Sequence, residues 1–213
     1  SVVVVCNDQN KNRIEDICKK KSDCHFSFCT QKNLSEGQRG GILAATDFLD
    51  LNKPVLVVCS NDMVKKSAFE NLIQQSQNSD SEFFFVGKKV DNYFPGGYLS
   101  RNEQGFVDRI VEKPGEGNEP SDLVTLLIHY YTTPKKVFSA LEKAYPEKDG
   151  YEDVLQELLE NGLQAEVSEY NDFWQAIKYP WHFLDIGAEL LSGLIGSFIH
   201  PKATVSSKAS ING

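Results

Sequence analysis

The chain opens on an unbroken apolar run, Val2-Val3-Val4-Val5-Cys6, and similar stretches return at residues 25–29 and 54–59. An apolar run without polar alternation is the pattern of a strand buried on both faces of a parallel sheet. Between these runs, residues 10–21, 40–49 and 64–75 carry helical periodicity, the first with Ile14, Ile17 and Cys18 on its inner face. A further strand is expected at residues 83–86. Parallel strands need a long crossover, and strands alternating with helices supply it. The expectation is an α/β fold with a Rossmann-like, mostly parallel sheet flanked by helices.

Composition narrows the class. The 213 residues suffice for one large α/β domain, alone or with a short appendage. With 22 basic and 30 acidic residues the net charge is −8, which argues against a general nucleic-acid surface but leaves room for a local basic pocket. No apolar run approaches the roughly 18 residues of a membrane span, and no signal peptide is visible. Cys6, Cys18, Cys24, Cys29 and Cys59 are odd in number and form no Cys-x-x-Cys. Cys6, Cys29 and Cys59 sit in apolar, strand-like runs, and they read as small core residues of a reduced, cytoplasmic protein.

The second half repeats the alternation. A strand is expected at 123–131, helices at 134–144 and 151–161, short strands at 165–168 and 172–177, and a helix from Tyr179-Pro180-Trp181 to about 194. Gly162 is placed to cap the second of those helices, and Pro180 suits a first turn. Then the period changes: Ile199, Val205 and Ile211 recur every six residues among small and polar ones. A hexapeptide period is the signature of a parallel β-helix. Residues 1–196 are therefore expected to form one domain and 197–213 the start of a β-helix. Position 1 is Ser, the first strand has nothing before it, and the repeat stops after few coils, so the chain is expected to continue at both ends.

One hairpin carries chemistry. Gly97-Tyr98-Leu99-Ser100-Arg101 runs into the polar turn Asn102-Glu103-Gln104-Gly105, and Val107-Asp108-Arg109-Ile110-Val111-Glu112-Lys113-Pro114 returns. Pro114 ends the strand, leaving an acid and a base side by side. On the residues alone this is either a solvated surface ion pair or a charged binding site.

The run resembles the sugar-site hairpin of the sugar-1-phosphate nucleotidylyltransferases, with residue types and spacing agreeing over about 18 positions. That resemblance implies the nucleotide-diphospho-sugar transferase type of fold, often followed by a left-handed β-helix. It also implies roles: Gly97 packs against the sugar, Glu112 accepts from sugar hydroxyls, and Lys113 neutralises the sugar phosphate as the catalytic residue. Gln31 and Gly37 fill positions that read the nucleotide base, although Gln31 also suits an ordinary polar residue after a strand. The family's Gly-rich phosphate loop after its first strand has no counterpart here; Gly37-Gln38-Arg39-Gly40-Gly41 is a weak likeness.

The metal positions depart from the family. Asn61 stands where a Mg²⁺-binding Asp is usual, with Asp62 beside it, either as a substitute ligand or as a helix cap. In Phe173-Trp174-Gln175-Ala176-Ile177, Ala176 stands at the second metal Asp. His182 replaces an acidic residue in the next helix, and Thr125 and Leu127 stand where the family has Asn and Gly against the sugar. The resemblance implies transfer of a nucleoside monophosphate from a nucleoside triphosphate to a sugar 1-phosphate, with Mg²⁺. No nucleic-acid or membrane partner is expected, and homo-oligomers are possible partners. The altered positions keep two alternatives open: a catalytically impaired sugar-nucleotide-binding or regulatory domain, and a companion to a β-helix acyltransferase.

Overall fold

A computed structural model describes residues 1–20, 24–144, 150–194 and 199–210. The chain divides into two units, residues 1–59 with 66–171 and residues 60–65 with 172–213.

In the first unit, β1 (Val2–Cys6) and β2 (Phe26–Thr30) pair in parallel across α1 (Lys11–Cys18), a βαβ unit as the alternation predicts. The expected two-faced burial of β1 is not found. Val2 is 43 % exposed and only Cys6, at 3 %, is buried, because β1 and β2 form a two-stranded sheet with no further neighbour among the described residues. Ile17, expected inside, is 54 % exposed, since the short α1 buries no residue. Its predicted end at Lys21 lies outside the described residues.

The core is a six-stranded sheet. α2 (Gly37–Ala44) precedes β3 (Val55–Val58). After β4 (Asp62–Val64), which belongs to the second unit, come α3 (Ser67–Ser76), β5 (Phe83–Lys89), β6 (Gly97–Arg101), β7 (Val107–Glu112) and β8 (Leu123–Tyr131). α4 (Pro134–Lys143), α5 (Gly150–Glu160) and β9 (Ala165–Glu169) complete the unit. The strands lie in the order β7-β6-β8-β5-β9, with β3 also on β8.

Four of the six strands, β3, β5, β6 and β9, point the same way, and β7 and β8 are reversed. The sheet is thus mostly parallel in direction, yet most neighbouring pairs are antiparallel because β8 enters between β3 and β5. The cause lies in the connections. β3-α3-β5 contains the helix that a parallel return requires, whereas β6, β7 and β8 follow one another without one.

β5 is the spine. Phe83, Phe84, Phe85 and Val86 have no exposed surface, and Phe83 stacks obliquely on Phe85 and Tyr131 at 4.1 and 4.7 Å between ring centres. Each fully buried ring of this kind contributes roughly 1.5–3 kcal/mol by removing apolar surface from water. α3 packs on β5 and β9 through Ala68 and Leu72; α4 and α5 pack together, and α5 lies on β7. Gln156 on α5 also accepts the β7 amide of Ile110 at 2.8 Å, fixing the edge hairpin to the helix.

The second unit pairs β4 with β10 (Trp174–Ala176) as an antiparallel ribbon, followed by α6 (His182–Ser192). Lys65 bridges Asp172 at 2.8 Å and Glu189 at 2.9 Å, tying the ribbon to the helix. In the tail, two turns close six residues apart: Ala203 N donates to His200 O at 2.8 Å, and Ala209 N to Ser206 O at 3.0 Å. No strand is formed among the described residues 199–210. The expected third repeat at Ile211 and the expected boundary at 196–197 lie outside the described residues.

Candidate functional site

The hairpin expected from sequence forms, and its register sets the site. Gly97 opens β6 and Glu112 closes β7, directly opposite one another. At the far end Asn102 makes the turn: its Oδ1 accepts from Gln104 N and Phe106 N, both at 3.0 Å, and Gly105 supplies φ +90°.

Thr125 of β8 completes a row across three strands, since Tyr98 pairs with Val124 and puts Gly97 beside Thr125. A Cβ on Gly97 would lie 2.9 Å from Thr125 Cγ2 and 3.3 Å from Glu112 Oε2. Only glycine therefore fits without displacement between the carboxylate and the methyl group.

Lys113 follows Glu112 with φ +45°, the one non-glycine residue at positive φ among the described residues. Its amide donates to Gly96 O at 3.0 Å and its ammonium meets Glu112 Oε1 at 2.7 Å. A left-handed lysine costs about 1–2 kcal/mol, and strain of this kind clusters at functional sites. Half of the Lys113 side chain is exposed, so the ion pair adds little stability.

A buried chain of polar groups stands behind Thr125. Thr125 Oγ1 lies 3.0 Å from His129 Nε2, His129 Nδ1 lies 2.6 Å from the Tyr151 hydroxyl, and that hydroxyl meets Tyr131 Oη. Burial pushes His129 down to about 3 and raises both tyrosines, so every member is neutral. Sequence reasoning missed this network. The signal in the strand was His129 and Tyr131 at the end of an apolar run; Tyr151 comes from α5.

Gln31 and Gly37 are also brought together. Gln31 Nε2 donates to Gly37 O at 2.9 Å and to Asn33 O at 3.1 Å. Its Oε1 lies over Gly41, 3.3 Å from where a Cβ would stand, while Gly37 adopts φ +55°. The Gly-rich run is the start of α2 rather than an open loop. Arg39 is buried and donates to Leu141 O at 2.7 Å, which fastens α2 to α4.

In the second unit Asp62 faces Ala176 directly across the ribbon, and Asn61 O accepts from Ile177 N at 2.7 Å. Burial raises the Asp62 carboxyl above the usual carboxylate range, opposed by the Lys178 charge and a hydrogen bond from Trp174. No cluster of three or more His, Cys, Asp or Glu side chains suited to a metal occurs among the described residues. One carboxylate and one amide suit a Mg²⁺ ion that keeps most of its ligands from water and phosphate, not a closed protein cage. His182 Nδ1 accepts from Lys178 N at 3.0 Å, so the imidazole caps the turn leading into α6.

Comparison with known proteins follows the same outline. A family model described as nucleotidyl transferase matches residues 1–191. A bifunctional sugar-1-phosphate nucleotidylyltransferase/acetyltransferase of Sulfurisphaera tokodaii is 26% identical over 92% of this chain and 45% of its own length. The low-salt glycan biosynthesis nucleotidyltransferase Agl11 of Haloferax volcanii is 26% identical over 99% of this chain and 57% of its own. The chain thus spans about half the length of these curated relatives. A crystal structure of UDP-glucose pyrophosphorylase complexed with UDP-glucose superposes with a TM-score of 0.67 at 18% identity, covering 88% of this chain and 74% of that one. That likeness concerns the fold.

Proposed function

The chain belongs to the nucleotidyl transferase family, and from that premise we propose that it transfers a nucleoside monophosphate from a nucleoside triphosphate to a sugar 1-phosphate. The observation that carries this reading is the Gly97–Glu112–Lys113 constellation: a bare glycine backbone directly opposite a carboxylate, with an ammonium beside that carboxylate on a left-handed backbone.

The chemistry asks for positioning and charge neutralisation rather than a protein nucleophile. A phosphate oxygen of the sugar 1-phosphate attacks the α-phosphorus. The bond to the bridging oxygen of the β-phosphate breaks, and pyrophosphate leaves with that oxygen. Lys113 holds the attacking phosphate and offsets its charge. Glu112 accepts from sugar hydroxyls and fixes the ring over Gly97. Gln31 and Gly37 meet the nucleobase, Gln31 through Oε1, because its amide nitrogen is engaged with backbone.

The family generally uses a divalent metal. We assign it as Mg²⁺, to which Asp62 and Asn61 would contribute; when bound with the triphosphate it offsets phosphate charge. The two turns spaced six residues apart support residues 197–213 as the start of a hexapeptide-repeat β-helix, after a nucleotidylyltransferase-like domain over 1–196. The S. tokodaii relative is bifunctional, with an acetyltransferase activity in its name. No helix of the described residues is long and apolar enough to cross a membrane. Free thiols and nucleotide substrates support a cytoplasmic setting.

Ala176 opposite Asp62 favours a second reading, a sugar-nucleotide-binding domain with impaired catalysis. Product analysis separates the two. Incubation with nucleoside triphosphates, hexose 1-phosphates and Mg²⁺ is expected to yield a nucleotide sugar and an equal amount of pyrophosphate. Tight nucleotide-sugar binding without any product would establish the second reading and overturn the first.

A further inference from the structure

Lys113 N, which donates to Gly96 O at 3.0 Å, is the last backbone donor at the end of β7, because Pro114 carries none. Gly96 does not return the bond. Its own amide turns back and donates to Phe94 O at 2.9 Å, which closes a three-residue turn centred on Pro95. The proline φ of about −65° suits the centre of an inverse γ-turn, about −75°. The Phe94 ring closes over this turn: a Cβ on Gly96 would lie 2.8 Å from Phe94 Cε1.

The turn is tied to the core at one side chain. Phe94 N donates to the Tyr98 hydroxyl at 2.8 Å. Tyr98 is 1 % exposed, and its ring lies nearly parallel to that of Tyr93, at 7° and 6.1 Å between centres. Successive strand residues face opposite sides of a sheet, so the Tyr98 ring stands on the face turned away from the Gly97 position. A continuous run of hydrogen bonds therefore leads from the buried phenol through Phe94 and Gly96 to the amide of Lys113. A left-handed residue such as Lys113, φ +45°, persists only where its surroundings over-determine it.

Resting on the sugar-phosphate reading above, we propose that Tyr98 is a positioning residue for Lys113. Its hydroxyl holds the Pro95 turn, the turn presents the Gly96 carbonyl, and that carbonyl fixes the lysine backbone and with it the place where the ammonium meets the phosphate of the sugar.

Tyr98→Phe deletes the hydroxyl and keeps the ring. Its KM for the sugar 1-phosphate is expected to rise about 3- to 10-fold, the worth of one neutral hydrogen bond, with KM for the nucleoside triphosphate unchanged. Pro95→Gly loosens the same turn from an exposed position and should act in the same direction. A double-mutant cycle separates positioning from general support of the fold: in Lys113→Ala, adding Tyr98→Phe should leave KM for the sugar phosphate where it was, because the route ends at the ammonium. Amide exchange followed by NMR gives a readout independent of turnover. The Lys113 amide should exchange about tenfold faster or more in Tyr98→Phe, while the amides of β5 keep their wild-type rates. An equal rise in KM with and without Lys113, or a Lys113 amide as protected as in the wild type, overturns the proposal and leaves the sugar-phosphate site standing. Kinetics indifferent to Lys113→Ala, or a wild type that turns over no sugar 1-phosphate, overturns the sugar-phosphate reading and the proposal with it.

Discussion

The Tyr151 hydroxyl donates to Nδ1 of His129 at 2.6 Å inside a core where neither residue has more than a trace of exposed surface. An imidazole so placed, pushed down to about 3 from an ordinary value of 6.5, resists protonation. The unfolded chain takes up a proton as pH falls below about 6.5, whereas the folded chain takes it up only near 3. Stability from this group is therefore complete above about 6.5 and is lost as pH falls toward 3. Urea unfolding at pH 7 and pH 5 should show wild-type stability dropping between them, with a smaller drop in His129→Leu. Equal drops in the two proteins would remove His129 from the account.

Gly97→Ala places a methyl 2.9 Å from Thr125 Cγ2. Neither strand can retreat, because Gly97 pairs with Glu112 and its neighbour Tyr98 with Val124. A cost of about 1–3 kcal/mol is expected, together with a raised KM for the sugar phosphate. Gly97→Ala/Thr125→Ser, which removes Cγ2, should recover most of the stability in denaturant titrations. No recovery would mean that the contact is relieved elsewhere.

Lys113 permits a separation of fold from function. Lys113→Gly removes a left-handed side chain and should raise the midpoint of thermal unfolding. The same variant loses the ammonium, and kcat/KM for the sugar phosphate should fall by roughly 10- to 100-fold, the worth of a charge-assisted hydrogen bond. Steady-state kinetics and a melting curve on one preparation check both directions at once.

Asp62 and Ala176 are direct cross-strand partners, with side chains on one face of the ribbon. Ala176→Asp would set two carboxylates together and should tighten Mn²⁺ binding, measured by fluorescence or paramagnetic relaxation, by tenfold or more, about 1.4 kcal/mol. Unchanged affinity would show that the ribbon face is not where metal enters.

The hairpin was legible because it is local. A turn of Asn102 and Gly105 and a strand end at Pro114 mark it without reference to the rest of the chain, while the shift of register between Ser100 and Arg101 shows only in the structure. β8 was legible as a strand but not in its placement. Its apolar pattern is the same whether its neighbours run with it or against it, and its bulge at Leu127-Ile128 arises from satisfying β3 on one edge and β5 on the other. The same holds for Arg39, which looked like part of a Gly-rich loop and instead holds a carbonyl of α4, 102 residues away in sequence. The row Glu112–Gly97–Thr125 combines both cases: two members lie in one motif, and only the sheet order shows that Thr125 stands beside Gly97.

Pyrophosphate release, followed continuously with each nucleoside triphosphate against a panel of hexose 1-phosphates, tests the central claim most directly. At least one pair should give steady turnover that depends on the sugar phosphate and falls sharply in Lys113→Ala. Absence of turnover with every pair in the presence of Mg²⁺, or a rate indifferent to Lys113, would contradict the account.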